Sequence, residues 1–277
     1  MQKAQQSTTE DILWEALHSL TGATGRGNNA PFVELYLNIC EQIRPQVSVE
    51  IGAREAAFSV KLKSRSPQTQ CYAFEANPYV FEQFRNSAKD VTYLNEAIGA
   101  ETGTRPFFIP IALPRPGHAL TLLRTNPVSS LKLRAVEGVD YEEVSCKCDT
   151  LDAWHERLGW PASVLWIDVE GAVADVIGGA TRCLSECVRC IFVELEKKAT
   201  WKDQWLAPDV TAAMTRFGFR PVARDFETAW QYNQIFVRDE LVTRSTLTLV
   251  QKYVARLMEN SRSSDPAPPA AADRSKP

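Results

Sequence analysis

The sequence predicts an α/β fold built on a mostly parallel sheet. Three observations carry that reading. From residue 46 onward, short β-branched and aromatic runs alternate with helical patterns across short connections, the arrangement of right-handed crossovers in a parallel sheet. Two of these runs, QVSVEIGA and SVLWIDVEGA, end in acidic and small residues, which suits the ligand-bearing edge of an open sheet. RPVARDF and WQYNQIFVRD follow one another with no helix between them, so an antiparallel pair is expected at the sheet edge.

The elements follow in chain order. Ser7, Thr8 and Thr9 precede Glu10 and Asp11, and Leu13, Leu17 and Leu20 recur at helical spacing, a capped amphipathic helix. TGATGRGNNA (21–30) is a loop; it lacks the GK[ST] ending of a phosphate loop and no strand precedes it. Pro31 opens a second helix with Phe32, Leu35 and Ile39 on one face. QVSVEIGA is a strand, AAFSVKLKS a helix, QCYAFEA a strand, PYVFEQFRNSAK a helix and VTYL a strand. Residues 101–149 break the alternation with strand-like TRPFFIP and EEVSCKC, and read as a β insertion. TLDAWHERLG then forms a helix, SVLWIDV a strand, AVADVIGGATRCL a helix, CIFVELE a strand and DVTAAMTRFGF a helix. The expected organisation is an N-terminal helical segment over 1–44, a main domain over 45–240 and a C-terminal helix over 241–259 with Leu247, Val250, Val254 and Leu257 in register. Residues 260–277, rich in proline and poor in large apolar side chains, are expected to be a disordered tail.

Composition narrows the function. Of 277 residues, 44% are hydrophobic and 23% charged, an ordinary soluble balance. The net charge of −3 argues against a duplex-binding protein, so no nucleic-acid partner is expected. No uncharged apolar stretch is long enough for a membrane span, and MQKAQQSTTEDI lacks the apolar core of a secretory signal. The seven cysteines read as reduced thiols of a cytoplasmic protein.

Four strand-end segments can carry chemistry. In Glu50-Ile51-Gly52-Ala53-Arg54-Glu55-Ala56, a glycine after the strand lets backbone amides approach a ligand, and the next helix start attracts negative charge. The plain alternative is a strand-to-helix turn. In Phe74-Glu75-Ala76-Asn77-Pro78, Glu75 lies roughly 20 residues beyond that turn, where an acid can accept hydrogen bonds from both ribose hydroxyls of a nucleoside. The alternative is a helix cap. Asn95-Glu96-Ala97-Ile98-Gly99 follows the third strand, where a doubly wound sheet presents groups to an adenine ring. In Leu165-Trp166-Ile167-Asp168-Val169-Glu170-Gly171, two carboxylates end an apolar strand, positioned to act as a base, to hold an ammonium group, or merely to cap a helix. Glu194 and Glu196 of FVELE should lie beside them.

These segments, in this order, resemble the FkbM-type family of S-adenosylmethionine-dependent methyltransferases over roughly residues 45–240. EIGA looks like the family's glycine turn, FEANP its ribose acid, NEAIG its segment after strand three, CDTLDAW its TLD element, and WIDVEGA with GGA (178–180) its DxEG segment. The resemblance implies a class I methyltransferase, Rossmann-like seven-stranded sheet with a terminal antiparallel pair. It implies S-adenosyl-L-methionine as cofactor and methyl transfer to a hydroxyl of a sugar, glycan or other natural product. On that basis Glu50, Gly52 and Ala53 hold the methionine end, Glu75 with Ala76 and Asn77 the ribose, and Asn95, Glu96 and Ala97 the adenine. Asp168 and then Glu170 are the candidates beside the acceptor. Three positions depart from the family pattern. Ala56 replaces a second glycine, and Val173 stands where an acid is common. Arg54 replaces a smaller polar residue and could pair with the methionine carboxylate.

Two other readings compete with it: a scaffold of the same fold that has lost catalysis, and a nicotinamide-dependent oxidoreductase, which the missing GxGxxG opposes. No metal is expected. Cys183, Cys187 and Cys190 are spaced C-x3-C-x2-C and Cys146 and Cys148 would lie on opposite strand faces, so all five read as small core residues. His18, His118 and His155 are scattered, with His155 a surface or packing residue. Trp201 and Trp205 either line a substrate cleft or simply pack.

Overall fold

The structure is a computed structural model and describes residues 29–115, 118–225, 228 and 230–263. The expected helix over 7–20 and most of the expected tail lie outside these residues. The elements are α1 (Asn29–Ile43), β1 (Val47–Ile51), α2 (Ala57–Arg65), β2 (Gln70–Phe74), α3 (Pro78–Phe84), β3 (Thr92–Leu94), β4 (Ala97–Ile98), β5 (Gly103–Arg115), β6 (His118–Thr121) and β7 (Asp140–Asp149). There follow α4 (Leu151–Leu158), β8 (Ser163–Ile167), α5 (Val173–Gly178), α6 (Thr181–Glu186), β9 (Val188–Glu196), α7 (Ala207–Arg216), β10 (Phe219–Arg224), β11 (Gln231–Arg238) and α8 (Arg244–Ser263).

Among the described residues, seven strands form the main sheet in the order β10-β11-β9-β8-β1-β2-β3. β11 runs antiparallel to both its neighbours, and the other pairs are parallel. This is the α/β sheet the sequence predicts, with β11 inserted one position in from the edge. Strand order reverses at β1: the chain moves to β2 and β3 on one side and returns to β8 on the other. A crevice opens at the carboxyl ends of strands at such a switch point.

Strand periodicity builds both core layers. Val47, Val49, Ile51, Leu165 and Ile167 face α4 to α7, packing with Leu151, Val176, Leu184 and Met214. Val164, Phe192, Ile235 and Val237 face the other way, towards Phe32, Tyr36 and Ile39 of α1, Phe58 of α2, and Val250, Tyr253 and Leu257 of α8. Aromatic rings fill this second layer: Trp166 stacks on Phe192 at 3.6 Å, and Tyr36 donates its hydroxyl hydrogen to the Leu165 carbonyl at 2.6 Å. A buried Tyr with its one donor satisfied adds apolar area without a desolvation penalty. α8 continues to Ser263, past the expected end at 259.

The insertion is more ordered than two short strands. β4, β7, β5 and β6 form a second sheet, with β5 and β7 paired antiparallel over most of their length and a register shift between Pro110 and Ala112. A proline cannot donate to a ladder, which places it at such an irregularity. Two helices also differ from expectation. PYVFEQFRNSAK is helical only to Phe84, because Asn86 and Ser87 favour turns over helix interiors. AVADVIGGATRCL forms two helices, broken after Gly178. A side chain on Gly179 would meet the Gly99 carbonyl oxygen at 2.0 Å, and the Gly179 carbonyl accepts the Asp152 N–H at 2.9 Å. The backbone is pulled against Gly99 and the start of α4 at that point and leaves helical geometry.

The adjacent glycines should therefore answer oppositely. Gly179→Ala should destabilise by about 3 kcal/mol through the backbone clash. A Cβ on Gly178 meets Ala100 at an ordinary 3.5 Å, so Gly178→Ala should be neutral or stabilise by up to about 1 kcal/mol. Urea unfolding of both variants checks the pair, and equal effects would contradict this account of the break.

Candidate active site

The site begins where β1 passes β8. Ile51 and Ile167 are register partners, and the Asp168 N–H donates to the Ile51 carbonyl at 2.9 Å. The chain then turns at Gly52, with φ +76°. A Cβ there would lie 1.9 Å from the Asp168 carbonyl oxygen, so only glycine permits the approach. The N–H groups of Gly52 and Ala53 both donate to the Phe74 carbonyl, at 3.0 and 2.9 Å, which ties the turn to the end of β2.

Glu75 organises the next layer. One carboxylate oxygen accepts the Arg54 N–H at 2.8 Å and the other accepts the Asn77 N–H at 2.7 Å. Each oxygen keeps a further lone pair. Burial pushes the carboxyl up to about 7 against the lowering effect of those amides. Asn77 works in two directions. Its side-chain oxygen accepts the Tyr79 N–H at 3.0 Å and caps α3, while its amide donates to the Arg124 carbonyl at 2.8 Å and so holds the insertion.

A cavity of about 340 Å³ opens at these strand ends, a size that suits a small ligand or cofactor. Gly52, Arg54, Glu75, Ala76, Asn77, Glu96, Ala97, Asp168 and Glu170 line it, so most of the residues singled out in the sequence come together. Three do not. Glu50, expected at the methionine end, sits on the strand face shared with Trp166 and covered by α2. Its carboxylate accepts the N–H groups of Phe58 at 3.3 Å and Ser59 at 2.8 Å, capping a helix whose own N-cap residue, Ala56, offers no side-chain acceptor. Burial raises it to about 7. Ala53 packs with Ala56 and Ala73 beneath the turn. Asn95 donates to the Glu75 carbonyl at 2.8 Å and braces that strand end from outside. Glu96 lines the cavity, but its oxygens already take the Lys147 ammonium at 2.7 Å and the Trp154 indole N–H at 3.2 Å. Arg54 pairs with Glu55 at 3.3 Å.

The insertion supplies what strand-end motifs could not reveal. Asn126, Pro127, Ser129, Ser130 and Leu131 line the cavity opposite the sheet. The Ser130 hydroxyl donates to the Glu170 carbonyl, and its backbone exchanges hydrogen bonds with Phe108 at 2.8 and 3.0 Å. Only the polar, small-residue composition of that loop hinted at such a role.

Asp168 and Glu170 both face the cavity, with Glu194 and Gln231 at its rim. The Glu170 carboxyl is pushed up to about 8, first by burial and then by the Asp168 charge, against the Arg134 guanidinium. Trp201 does not line a cleft. It is buried beside Gly171, where a Cβ would strike its ring at 2.3 Å, and the Arg134 guanidinium lies 4.1 Å from its ring centre. Trp205 is 38% exposed and lines a shallow depression beside Glu170 and Glu196.

The family model of the methyltransferase FkbM domain matches residues 49–221, which runs from β1 into β10 and takes in every cavity wall but Gln231. The chain belongs to the FkbM methyltransferase family. The oxidoreductase reading is thereby set aside. Similar solved structures include the magnesium protoporphyrin IX methyltransferase of Synechocystis PCC 6803 with bound SAM, at 10% identity and TM-score 0.43, covering 86% of this chain and 100% of that one. Another is methyltransferase FkbM of Methylobacillus flagellatus KT, at 13% identity and TM-score 0.44, covering 70% of this chain and 44% of that one. No curated protein matches the chain. Among the described residues no helix is long and apolar enough to cross a membrane.

The buried carboxyls make stability fall with rising pH. Glu50, Glu75 and Glu170 each hold a proton more tightly folded than unfolded. Their contribution is complete below about 4.5 and is lost as pH rises through about 7 and 8. The melting temperature of the ligand-free chain should therefore decline across that window. Glu170→Gln should flatten the upper part of the decline, and an unchanged slope would remove Glu170 from the account.

Proposed function

We propose that this FkbM methyltransferase moves a methyl group from S-adenosylmethionine to a hydroxyl of a small molecule, sugar or glycan, with Asp168 facing the cationic end of the donor and Glu170 taking the hydroxyl proton. The observation that carries the reading is the pair of carboxylates in one cavity, where burial first and then the Asp168 charge push Glu170 up to about 8. A proton acceptor works best with a pKa near the working pH.

The residues present fit the donor. Glu75 has lone pairs left for a ribose diol, Ile98, Phe107 and Leu131 offer apolar surface for a ring, and carboxylates dominate the cavity's charged groups, with Arg54 already paired to Glu55. The donor supplies a methyl group on a positively charged sulfur. The chain's part is to align the acceptor oxygen, exclude water and receive a proton. Trp205 beside Glu170 offers an exposed aromatic face that suits a sugar ring. Residues 45–240 form the catalytic domain in this reading, and 101–149 bear on acceptor choice. Reduced, buried cysteines suit a cytoplasmic setting.

Ala56 supports an active enzyme rather than a degenerate scaffold. It holds φ 56° and ψ 37°, the left-handed conformation a glycine would take, so the turn keeps its shape.

Three variants test the assignment by calorimetry and turnover with a panel of hydroxyl acceptors. Glu75→Ala should weaken donor binding about tenfold or more. It should also destabilise the chain, since two buried N–H groups lose their acceptor. Glu170→Gln should keep donor affinity and lose roughly 10²–10⁴-fold in turnover. Asp168→Asn should weaken S-adenosylmethionine more than S-adenosylhomocysteine, which lacks the positive charge. Full turnover in Glu170→Gln would return the base to Asp168.

A further inference from the structure

At the amino ends of β8 and β9, on the sheet edge opposite the cavity, three side chains from two parts of the chain converge. They are His155 of α4, Cys183 of α6 and Cys187 in the turn that enters β9. One donor atom from each lies within 4.8 Å of the others. The two thiols are 1% and 2% exposed. We propose that His155, Cys183 and Cys187 form a structural binding site for a thiophilic divalent ion, Zn²⁺, separate from the methyl-transfer site.

The donor set selects the ion. Two sulfurs and an imidazole suit zinc, whereas magnesium and calcium take oxygen ligands. Tetrahedral zinc with bonds of about 2.0–2.3 Å places neighbouring donors roughly 3.5–3.8 Å apart. The three groups, within 4.8 Å of one another, need to close by roughly 1.3 Å at most to reach that geometry, and side-chain rotation supplies such a shift.

Two further features prepare the cluster. The His155 Nε2 lies 3.3 Å from a Glu186 carboxylate oxygen. When Nε2–H donates to that carboxylate, Nδ1 carries the free lone pair. Nδ1 is buried and has no hydrogen-bond partner among the described residues. A carboxylate behind the histidine is the usual outer partner of a metal-binding imidazole. The Ser163 hydroxyl also lies 3.5 Å from the Cys187 sulfur, within reach to donate to it. The thiolate is the ligand form.

An ion here would clip α4 to α6 and to the start of β9. β8 and β9 have 5 and 9 residues, so the site lies roughly 15–30 Å from the strand ends that line the cavity. Its role is therefore in holding the helical layer, and its test needs no enzyme assay.

The test uses the full-length chain, free of affinity tags, reduced and stripped with chelator, with Zn²⁺ and then Co²⁺ as probes. One equivalent of zinc should bind, and Co²⁺ should show thiolate-to-metal absorption. Zinc at a hundredfold excess over Kd should raise the melting temperature by about 5–10 °C. His155→Ala alters a side chain at the rim and should fold, yet lose the absorption and the thermal shift. Glu186→Gln should weaken zinc about 10–100-fold. A reduced wild-type chain that takes up no ion overturns the proposal. So does a His155→Ala variant that binds with unchanged stoichiometry and spectrum.

Discussion

The site depends on how closely the end of β1 runs past the end of β8. The Asp168 N–H reaches the Ile51 carbonyl, and the next residue of β1 must carry no side chain because the Asp168 carbonyl oxygen occupies that space. This single approach closes the crevice floor. It also fixes where the Asp168 and Glu170 side chains emerge, and it starts the turn whose amides meet Glu75. Elements further out are arranged around it. β2 accepts the turn's first two N–H groups, and the insertion is held by Asn77 just beyond β2.

Around that floor the chain concentrates buried carboxyls. Glu50, Glu75 and Glu170 are all raised by desolvation, and Asp168 adds to each. Repulsion among acids in a low-dielectric cavity is unfavourable on its own. In the proposed reading a donor with a positive charge and a diol relieves it, so the same groups that weaken the empty protein at high pH would strengthen the loaded one. The backbone amides that Glu75 accepts keep its oxygens in place without help from the ligand. Preorganised groups of this kind lose little entropy when the ligand arrives.

Much of this was legible in the sequence because strand ends announce themselves. A β-branched run stopping at EIG, FEANP or WIDVEG leaves few options for where its polar residues lie, and nine of the twelve residues singled out there do line the cavity. The failures have one cause: strand and helix periodicity says which face a residue takes but not what lies across from it. Glu50 carries the same acid-before-glycine signal whether it meets a ligand or, as here, the uncapped start of α2. The break at Gly179 depends on Gly99, about 80 residues away in the chain. Ser130 and Asn126 sit in a loop with no period to read. His155 looked isolated because its thiol neighbours come from another helix.

The turn after β1 holds Arg54 at φ 45° and Ala56 at φ 56°, and neither is glycine. Each such residue is disfavoured by roughly 1–2 kcal/mol relative to ordinary backbone. The Glu75 carboxylate and the Tyr93 hydroxyl, which donates to the Arg54 carbonyl, hold the loop there. The buried Ala56 methyl adds packing that glycine lacks. A glycine would relax the turn and also let it wander, since a chain without Cβ samples more conformations before and after folding. Alanine thus exchanges some native-state comfort for a narrower ensemble. The consequence is kinetic as much as structural: in the proposed reading a ligand meets a turn that is already formed, and its departure requires no refolding of that turn.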